Sequence, residues 1–331
     1  MNKVIILNNR PIGKPQFFDF KFTDEEKPEI ANGEILLKTK LVSVDPYLRG
    51  RMSDAKSYVE SFKLDEPITS GCIAEVVESK NESFKKGDFV SGSLDWKEYQ
   101  VSNGNDLLKI DASAAPLSAY LGILGMTGLT AYLGLTEIGV PKKGETIVVS
   151  GAAGAVGSIV GQIGKILGCR VVGIAGSDDK VEMLKSKFGF DDAINYNTAK
   201  DIKKSIDVAC PNGVDVYFDN VGGDISDSVH ANINRFGRII VCGAISSYNE
   251  TSVPTGPRVE HFLIRKSALM QGFIIGNYAE KFSEGAKQLS KWLKEGKLTY
   301  TETIVEGFDA IPQAFIDLFD GKNKGKMIVK I

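Results

Sequence analysis

The chain has 331 residues, a length that suits two domains better than one core. Apolar residues are 43% of it and charged residues 25%, the balance of a soluble globular protein, so a disordered chain is excluded. A net charge of −2 gives nucleic acid or an anionic membrane surface no electrostatic foothold, and neither is expected as a partner.

The N-terminal MNKVIILNNR carries only a short apolar run, Val4 to Leu7, unlike an export signal. The first hundred or so residues read as β-rich. Glu34 to Val44 and Ile73 to Val77 are rich in branched residues, and Asn32-Gly33 and Gly87-Asp88 mark turns. From Ala112 to Thr136 no residue is charged, long enough to suggest a membrane span. Pro116, Gly122, Gly125, Gly128 and Gly134 interrupt it, so buried helices at a domain junction are expected instead. After Pro141 strands and helices alternate. The predicted strands are Glu145 to Ser150, Arg170 to Ala175, Ala193 to Tyr196, Val214 to Asp219, Arg238 to Cys242 and Ala268 to Ile275. That spacing predicts a parallel sheet covered by helices on both faces. A last helix pattern, IPQAFIDLF, and a last apolar strand, MIVKI, close the chain, and the strand is free to return to the first domain.

The four cysteines, Cys72, Cys169, Cys210 and Cys242, offer no paired zinc-ligand spacing and no dense disulfide framework. A reducing, cytoplasmic setting follows as the expectation.

The strand ETIVVS runs into GAAGAVG, Gly151 to Gly157, and then into a helix pattern. Val156, Ile159, Val160, Ile163, Ile166 and Leu167 share one helical face, and Gly168 stands where a stop is expected. Glycines at such a turn let the backbone approach a pyrophosphate, and the helix N-terminus supplies N–H groups and a favourable dipole. Ala152 replaces the first glycine of the usual G-x-G-x-x-G, with Gly154 and Gly157 in the other two places. A tight turn without a ligand is the alternative.

The tip of the next strand separates the two nicotinamide cofactors. An NAD site has an acid about 20 residues past the glycines, gripping a ribose hydroxyl. Here that position is Ser177, preceded by Gly176. Asp178 and Asp179 follow where they cap the next helix, and Lys180 falls in its first turn, placed to meet a 2′-phosphate. The residues favour NADPH, with a solvated helix charge as the alternative for Lys180.

The chain resembles the zinc-independent medium-chain dehydrogenases/reductases, and most of all their NADPH-dependent alkenal and enone double-bond reductases, which include the prostaglandin reductases. The likeness rests on SVDPYLRGRM (Ser43 to Met52), GMTGLTAYLGL (Gly125 to Leu135), GAAGAVGSIVGQ (Gly151 to Gln162), AGSDDKV (Ala175 to Val181), FDNVGG (Phe218 to Gly223), CGAISSYN (Cys242 to Asn249), QGFII (Gln271 to Ile275) and GKNKGKMIV (Gly321 to Val329). It implies an α/β fold: a Rossmann doubly wound parallel sheet at 128–300, and a GroES-like β-rich substrate domain built from 1–127 and 301–331. It also implies a homodimer. By motif match it implies cofactor contacts at Met126, Gly154, Ala155, Val156, Gly157, Gly176, Ser177, Lys180, Tyr196, Asn220, Cys242, Gly243, Ala244, Ile245, Ser246, Ser247, Tyr248, Phe273, Ile274, Ile275 and Asn323. Lys180 and Tyr196 would hold the 2′-phosphate side.

Reducing an activated double bond needs a hydride donor, a group holding the carbonyl oxygen as enolate charge develops, and a proton. The resemblance makes Tyr248 the first choice for the donor, a phenol that is protonated at neutral pH; packing at a strand end is its alternative. Tyr47 of the DPY motif is the second, lining a substrate pocket or else packing in a core or interface. The substrate is expected to be a small conjugated carbonyl compound. Zinc alcohol dehydrogenase chemistry lacks its ligands: the only histidines are His230 and His261, and TSGCIAEVV stands in place of a G-H-E motif. An NADPH-dependent quinone oxidoreductase of the same class remains open, as does a non-catalytic NADPH-binding protein.

Overall fold

The computed structural model describes residues 1–331. The chain divides into two units, Met1–Gly122 with Glu302–Asn323 and Met327–Ile331, and Ile123–Thr301 with Lys324–Lys326.

The first unit is β-rich. Strands β1 (Asn2–Leu7) and β2 (Phe20–Glu25) form an antiparallel pair with Leu7 opposite Phe20. The larger sheet uses β3 (Ile35–Ser43), β4 (Thr69–Ser79), β5 (Phe89–Asp95), β6 (Tyr99–Ser102), β7 (Leu108–Ile110), β14 (Glu302–Glu306) and β15 (Lys326–Lys330). Its order is β14-β15-β3-β4-β5-β7, with β6 also on β3. The C-terminal strand does return: Ile328 lies opposite Ser43. Strand β3 is buried at almost every position because both faces are covered, Leu37 and Val42 in the main core and Leu41 in a second cluster with Ile73, Leu121 and Ile328, and register shifts after Leu36 and Thr39 curl it. Ile5, Leu37, Val76, Trp96 and Phe315 form the core, with helix α9 (Ile311–Phe319) supplying the last of these. The buried Trp96 indole donates to Ser70 Oγ at 2.8 Å, so the ring is buried with its N–H satisfied. A single turn, α1 (Leu48–Arg51), follows the DPY motif.

The second unit is built on six parallel strands in the order β10-β9-β8-β11-β12-β13. They are β8 (Thr146–Ser150), β9 (Arg170–Ala175), β10 (Asp192–Asn195), β11 (Val214–Asp219), β12 (Ile233–Val241) and β13 (Leu269–Gly272). Every residue of β8 is buried, as a central strand covered on two faces requires. The intervening helices are α3 (Gly157–Ile166), α4 (Asp178–Ser186), α5 (Ile202–Ala209), α6 (Gly223–His230) and α7 (Glu260–Lys266), with α8 (Phe282–Lys294) after the last strand. Strand order reverses between β8 and β11. That reversal leaves a crevice at the carboxyl ends of the strands, where open α/β sheets take their ligands.

The uncharged stretch contains a 3-10 segment at Leu117–Leu121 and helix α2 (Met126–Leu133), and runs into a π-helical turn at Gly134–Gly139. Leu121, Leu129, Leu133 and Leu135 are buried, and no helix is long and apolar enough to cross a membrane. The turn has a packing cause. A Cβ on Gly134 would lie 2.7 Å from Phe273 and 2.9 Å from Phe218, so only glycine lets the backbone pass.

Candidate functional site

The loop after β8 is set by two glycines. Gly151 takes φ +57°, a left-handed conformation that favours glycine, and its carbonyl accepts the Gly154 N–H at 3.0 Å. A Cβ on Gly157 would come within 2.5 Å of the Gly151 oxygen and 2.7 Å of Ala152 Cα. Gly157 therefore lets α3 begin pressed against its own loop. Gly154 differs: a Cβ there would meet only the Gly151 oxygen, at 3.2 Å, and otherwise open space. That open cradle, facing the start of α3, fits a pyrophosphate. Ala155 and Val156 complete the turn. Val156 is the N-cap of α3 and half-buried, as are Ile166 and Leu167 at the far end of the same pattern. Gly168, at φ +80°, ends the segment as expected.

The tip of β9 is neutral and floored by backbone. A Cβ on Gly176 would strike the Tyr196 hydroxyl at 2.7 Å, so the phenol lies directly over the glycine. Asn197 donates to the Gly176 carbonyl at 2.7 Å. Ser177 is the N-cap of α4, but its hydroxyl turns to Asp179 and does not cap. Asp178 accepts from Asn195 at 2.7 Å, and Asp179 accepts the Lys180 N–H at 3.0 Å. Lys180 is half-buried. Burial lowers its pKa from the ordinary lysine value, Asp179 opposes that, and Lys324 adds to the lowering. An ammonium partly stripped of water beside a neutral strand tip fits a phosphate better than a ribose diol.

The loops after β11 and β12 are joined by hydrogen bonds. The N–H groups of Cys242 and Gly243 donate to the Asp219 carbonyl at 2.8 and 3.1 Å, and Ser246 N–H to the Val221 carbonyl at 3.0 Å. Asn220 Nδ2 donates to the Ser150 carbonyl at 2.8 Å, which ties this loop to the end of β8. Beneath lies a carboxylate that the sequence motifs do not single out. Asp219, 4% exposed, accepts from Ser150 Oγ and Tyr217 OH at 2.9 Å, from the N–H groups of Val221 and Gly222 at 2.9 Å, and from Ser226 Oγ at 2.5 Å. Five donors replace its lost water and fix the Asn220–Gly222 turn. Burial, then Asp219, pushes the Tyr217 phenol well above its ordinary value, so Tyr217 stays a donor. The signal in the sequence was an acid that ends the apolar run Val216–Phe218.

From Ala244 the run Ile245, Ser246 and Ser247 makes a 3-10 turn that ends at Tyr248. The Tyr248 phenol folds back and accepts the Ala244 N–H at 3.3 Å, and a Cβ on Gly243 would meet it at 3.2 Å. Phe273 stands edge-on to Phe218 and Tyr278 at 6.4 and 6.2 Å, and Ile274 and Ile275 lead into a further 3-10 segment. Met126 opens α2 and is 43% exposed. These residues all lie in the second unit. Tyr47 and Asn323 lie in the first. Tyr47 caps α1 and packs on that unit's core; burial and then Asp45 raise its pKa well beyond the ordinary tyrosine value.

Residues 3–110 match a family described as the N-terminal domain of oxidoreductase, and residues 155–292 one described as zinc-binding dehydrogenase. YfmJ of Bacillus subtilis (strain 168), which carries the provisional name NADP-dependent oxidoreductase, is 61% identical over 99% of this chain and 97% of its own. The NADP(+)-dependent 2-alkenal reductase of Nicotiana tabacum is 43% identical over 100% of this chain and 97% of its own. The crystal structure of CurA from Vibrio vulnificus in complex with NADPH superposes with a TM-score of 0.95, at 44% identity over 99% of this chain and 98% of that one. The chain belongs to the zinc-independent alkenal and enone double-bond reductases of the medium-chain dehydrogenase/reductase family.

Proposed function

We propose that this protein reduces the carbon–carbon double bond of α,β-unsaturated aldehydes and ketones with NADPH. The observation that carries the reading is the neutral Gly176-Ser177 strand tip beside the half-buried Lys180, in a chain aligned over its full length with a 2-alkenal reductase.

NADPH, when bound, supplies the hydride that goes to the substrate β-carbon. The chain's own residues bind and orient. Gly154, Ala155, Val156 and Gly157 hold the pyrophosphate. Gly176, Ser177, Lys180 and Tyr196 receive the adenosine 2′-phosphate. Asn220, Met126, the run Cys242–Tyr248 and Phe273, Ile274 and Ile275 line the rest of the cofactor. Tyr248 donates a hydrogen bond to the carbonyl oxygen as enolate charge grows, and the α-carbon then takes a proton from water, which completes the saturated carbonyl compound. Residues 128–300 act as the cofactor domain, and 1–127 with 301–331 as the substrate domain.

Two further features belong to this reading. The enzyme is a homodimer: β13 pairs on one side only, and Leu269 on it is 48% exposed, as is fitting for an edge that meets a second copy. It works in the cytoplasm, a setting that suits four free cysteines. The test is NADPH oxidation with enals, enones and quinones in parallel. Enals and enones are expected to turn over at least tenfold faster than quinones. Faster quinone turnover makes it a quinone oxidoreductase, and no turnover with any leaves a binding protein.

A further inference from the structure

The loop after α9 reaches the cofactor site of the second unit through three residues, Lys324–Lys326. Its backbone is fixed there. Gly325 N–H donates to the Ala153 carbonyl at 2.8 Å, and Gly325 bridges Gly154 in parallel fashion. Lys326 N–H donates to the Thr301 carbonyl at 3.0 Å. Gly325 takes φ +66°, and a Cβ on it would lie 1.7 Å from the Thr301 oxygen, so no other residue fits. The residue just before this clamp is Lys324. Its Nζ meets Asp179 Oδ2 at 2.5 Å, two residues from the β9 tip.

Charge makes the placement informative. Asp178, Asp179 and Lys180 alone sum to −1 at a subsite meant for a phosphate dianion. Lys324 brings the sum to zero, and it does so on the Asp179 carboxylate, the charge nearest Lys180 in sequence. Lys324 holds the Asp179 carboxyl down to about 2, helped by Ser177, so the acid stays ionised and keeps the ammonium in place. Both side chains are about half exposed, 45% for Lys324 and 57% for Asp179, which leaves the ammonium room to turn.

We propose that Lys324 is a second cation of the adenosine 2′-phosphate subsite, a specificity-determining residue that Asp179 positions and that shifts its contact to the phosphate when NADPH binds. The proposal rests on the NADPH reading above and adds a residue to it. Lys180 approaches from α4 and Lys324 from the loop clamped to the pyrophosphate turn, so the subsite is gripped from two sides.

The experiment is calorimetric titration of the protein with NADPH, NADH and 2′,5′-ADP, for the unaltered chain, Lys324→Met, Lys324→Arg and Lys180→Ala. Lys324→Met is expected to weaken NADPH and 2′,5′-ADP by about tenfold, the loss of one charge-assisted contact, with NADH unchanged. Its NADPH affinity should also fall less steeply with added salt, and Lys324→Arg should keep the preference. Unchanged NADPH affinity in Lys324→Met, or equal loss for NADPH and NADH, overturns the proposal. If the unaltered chain itself fails to prefer NADPH, the whole phosphate subsite falls. If it prefers NADPH and only Lys180→Ala loses that preference, the proposal about Lys324 falls alone.

Discussion

Tyr248 accepts the Ala244 N–H through its phenolic oxygen at 3.3 Å, a long bond, and its O–H remains a donor. If that proton meets the developing enolate, Tyr248→Phe should lower kcat for an enone roughly a hundredfold and leave NADPH affinity nearly unchanged. An unaltered kcat at saturation would remove Tyr248 from the chemistry. His230 poses a different question. Its ring stacks on Phe262 at 4.8 Å and meets the edge of Tyr217 at 6.0 Å, and its Nε2 is buried with no hydrogen-bond partner. Burial lowers its pKa from 6.5, against the pull of Asp219 at the end of β11 and Asp227 on its own helix. The folded state thus resists a proton that the unfolded chain accepts. Stability from this residue is full above about pH 6.5 and drains away as pH falls toward the depressed folded value. His230→Phe keeps the stack and removes the titration. Its melting temperature should fall less between about pH 6.5 and 5 than that of the native chain. Parallel profiles would show that His230 does not titrate in this way.

Helix α3 shows how close an element must come to serve the site. A Cβ on Gly161 would lie 1.9 Å from Phe190 Cζ, and one on Gly164 2.8 Å from Ile147. With Gly157 these glycines form a stripe that seats the helix against its own loop, Phe190 and the sheet in turn. Alanine in a helix ordinarily gains about 1 kcal/mol over glycine. At Gly157 the obstacle is backbone, which cannot rotate away, so overpacking should win. Gly157→Ala is expected to lose about 1–3 kcal/mol in denaturant unfolding and to weaken NADPH as the loop is displaced. A gain in stability would mean that the loop has slack. The apolar period of α3 was legible in the sequence, because Ile159, Val160 and Ile163 are fully buried at helical spacing. So was its stop at Gly168. The irregular elements were not. The π-turn at Gly134–Gly139 answers to Phe218, Phe273 and Ile240, all distant in sequence. Strand β12 bulges, with Phe236 at φ +64° and 60% exposed, and only Asn234 and Gly237 in NRFGRII hint at that. The place of Lys180 in the first turn of α4 could be read by counting along one strand, whereas the Asp219 hub and the Lys324–Asp179 pair depend on chain segments that meet only in the fold.

Across the whole molecule the question is whether any metal has a place to bind, since the second matched family is described as zinc-binding dehydrogenase. The two-unit plan and the return of the last strand were legible because β-rich and alternating regions have different periods. The sequence holds two histidines and four cysteines, and the structure now gives their positions. Cys72 is fully buried in β4 of the first unit, and burial pushes its thiol up to about 12. Burial likewise raises Cys210 and Cys242 to about 12 and Cys169 to about 11, so each is held as the thiol at neutral pH. Both histidines lie in the second unit, and no three His, Cys, Asp or Glu side chains converge at a spacing that would hold an ion. A tightly bound zinc would supply about 10 kcal/mol or more of folding free energy, so stripping it could not pass unnoticed. Exhaustive dialysis against a strong chelator is therefore expected to change neither the melting temperature nor the rate of enone reduction by NADPH. A loss of either that added zinc restores would place a metal in this protein and return it to the zinc-dependent branch of its family.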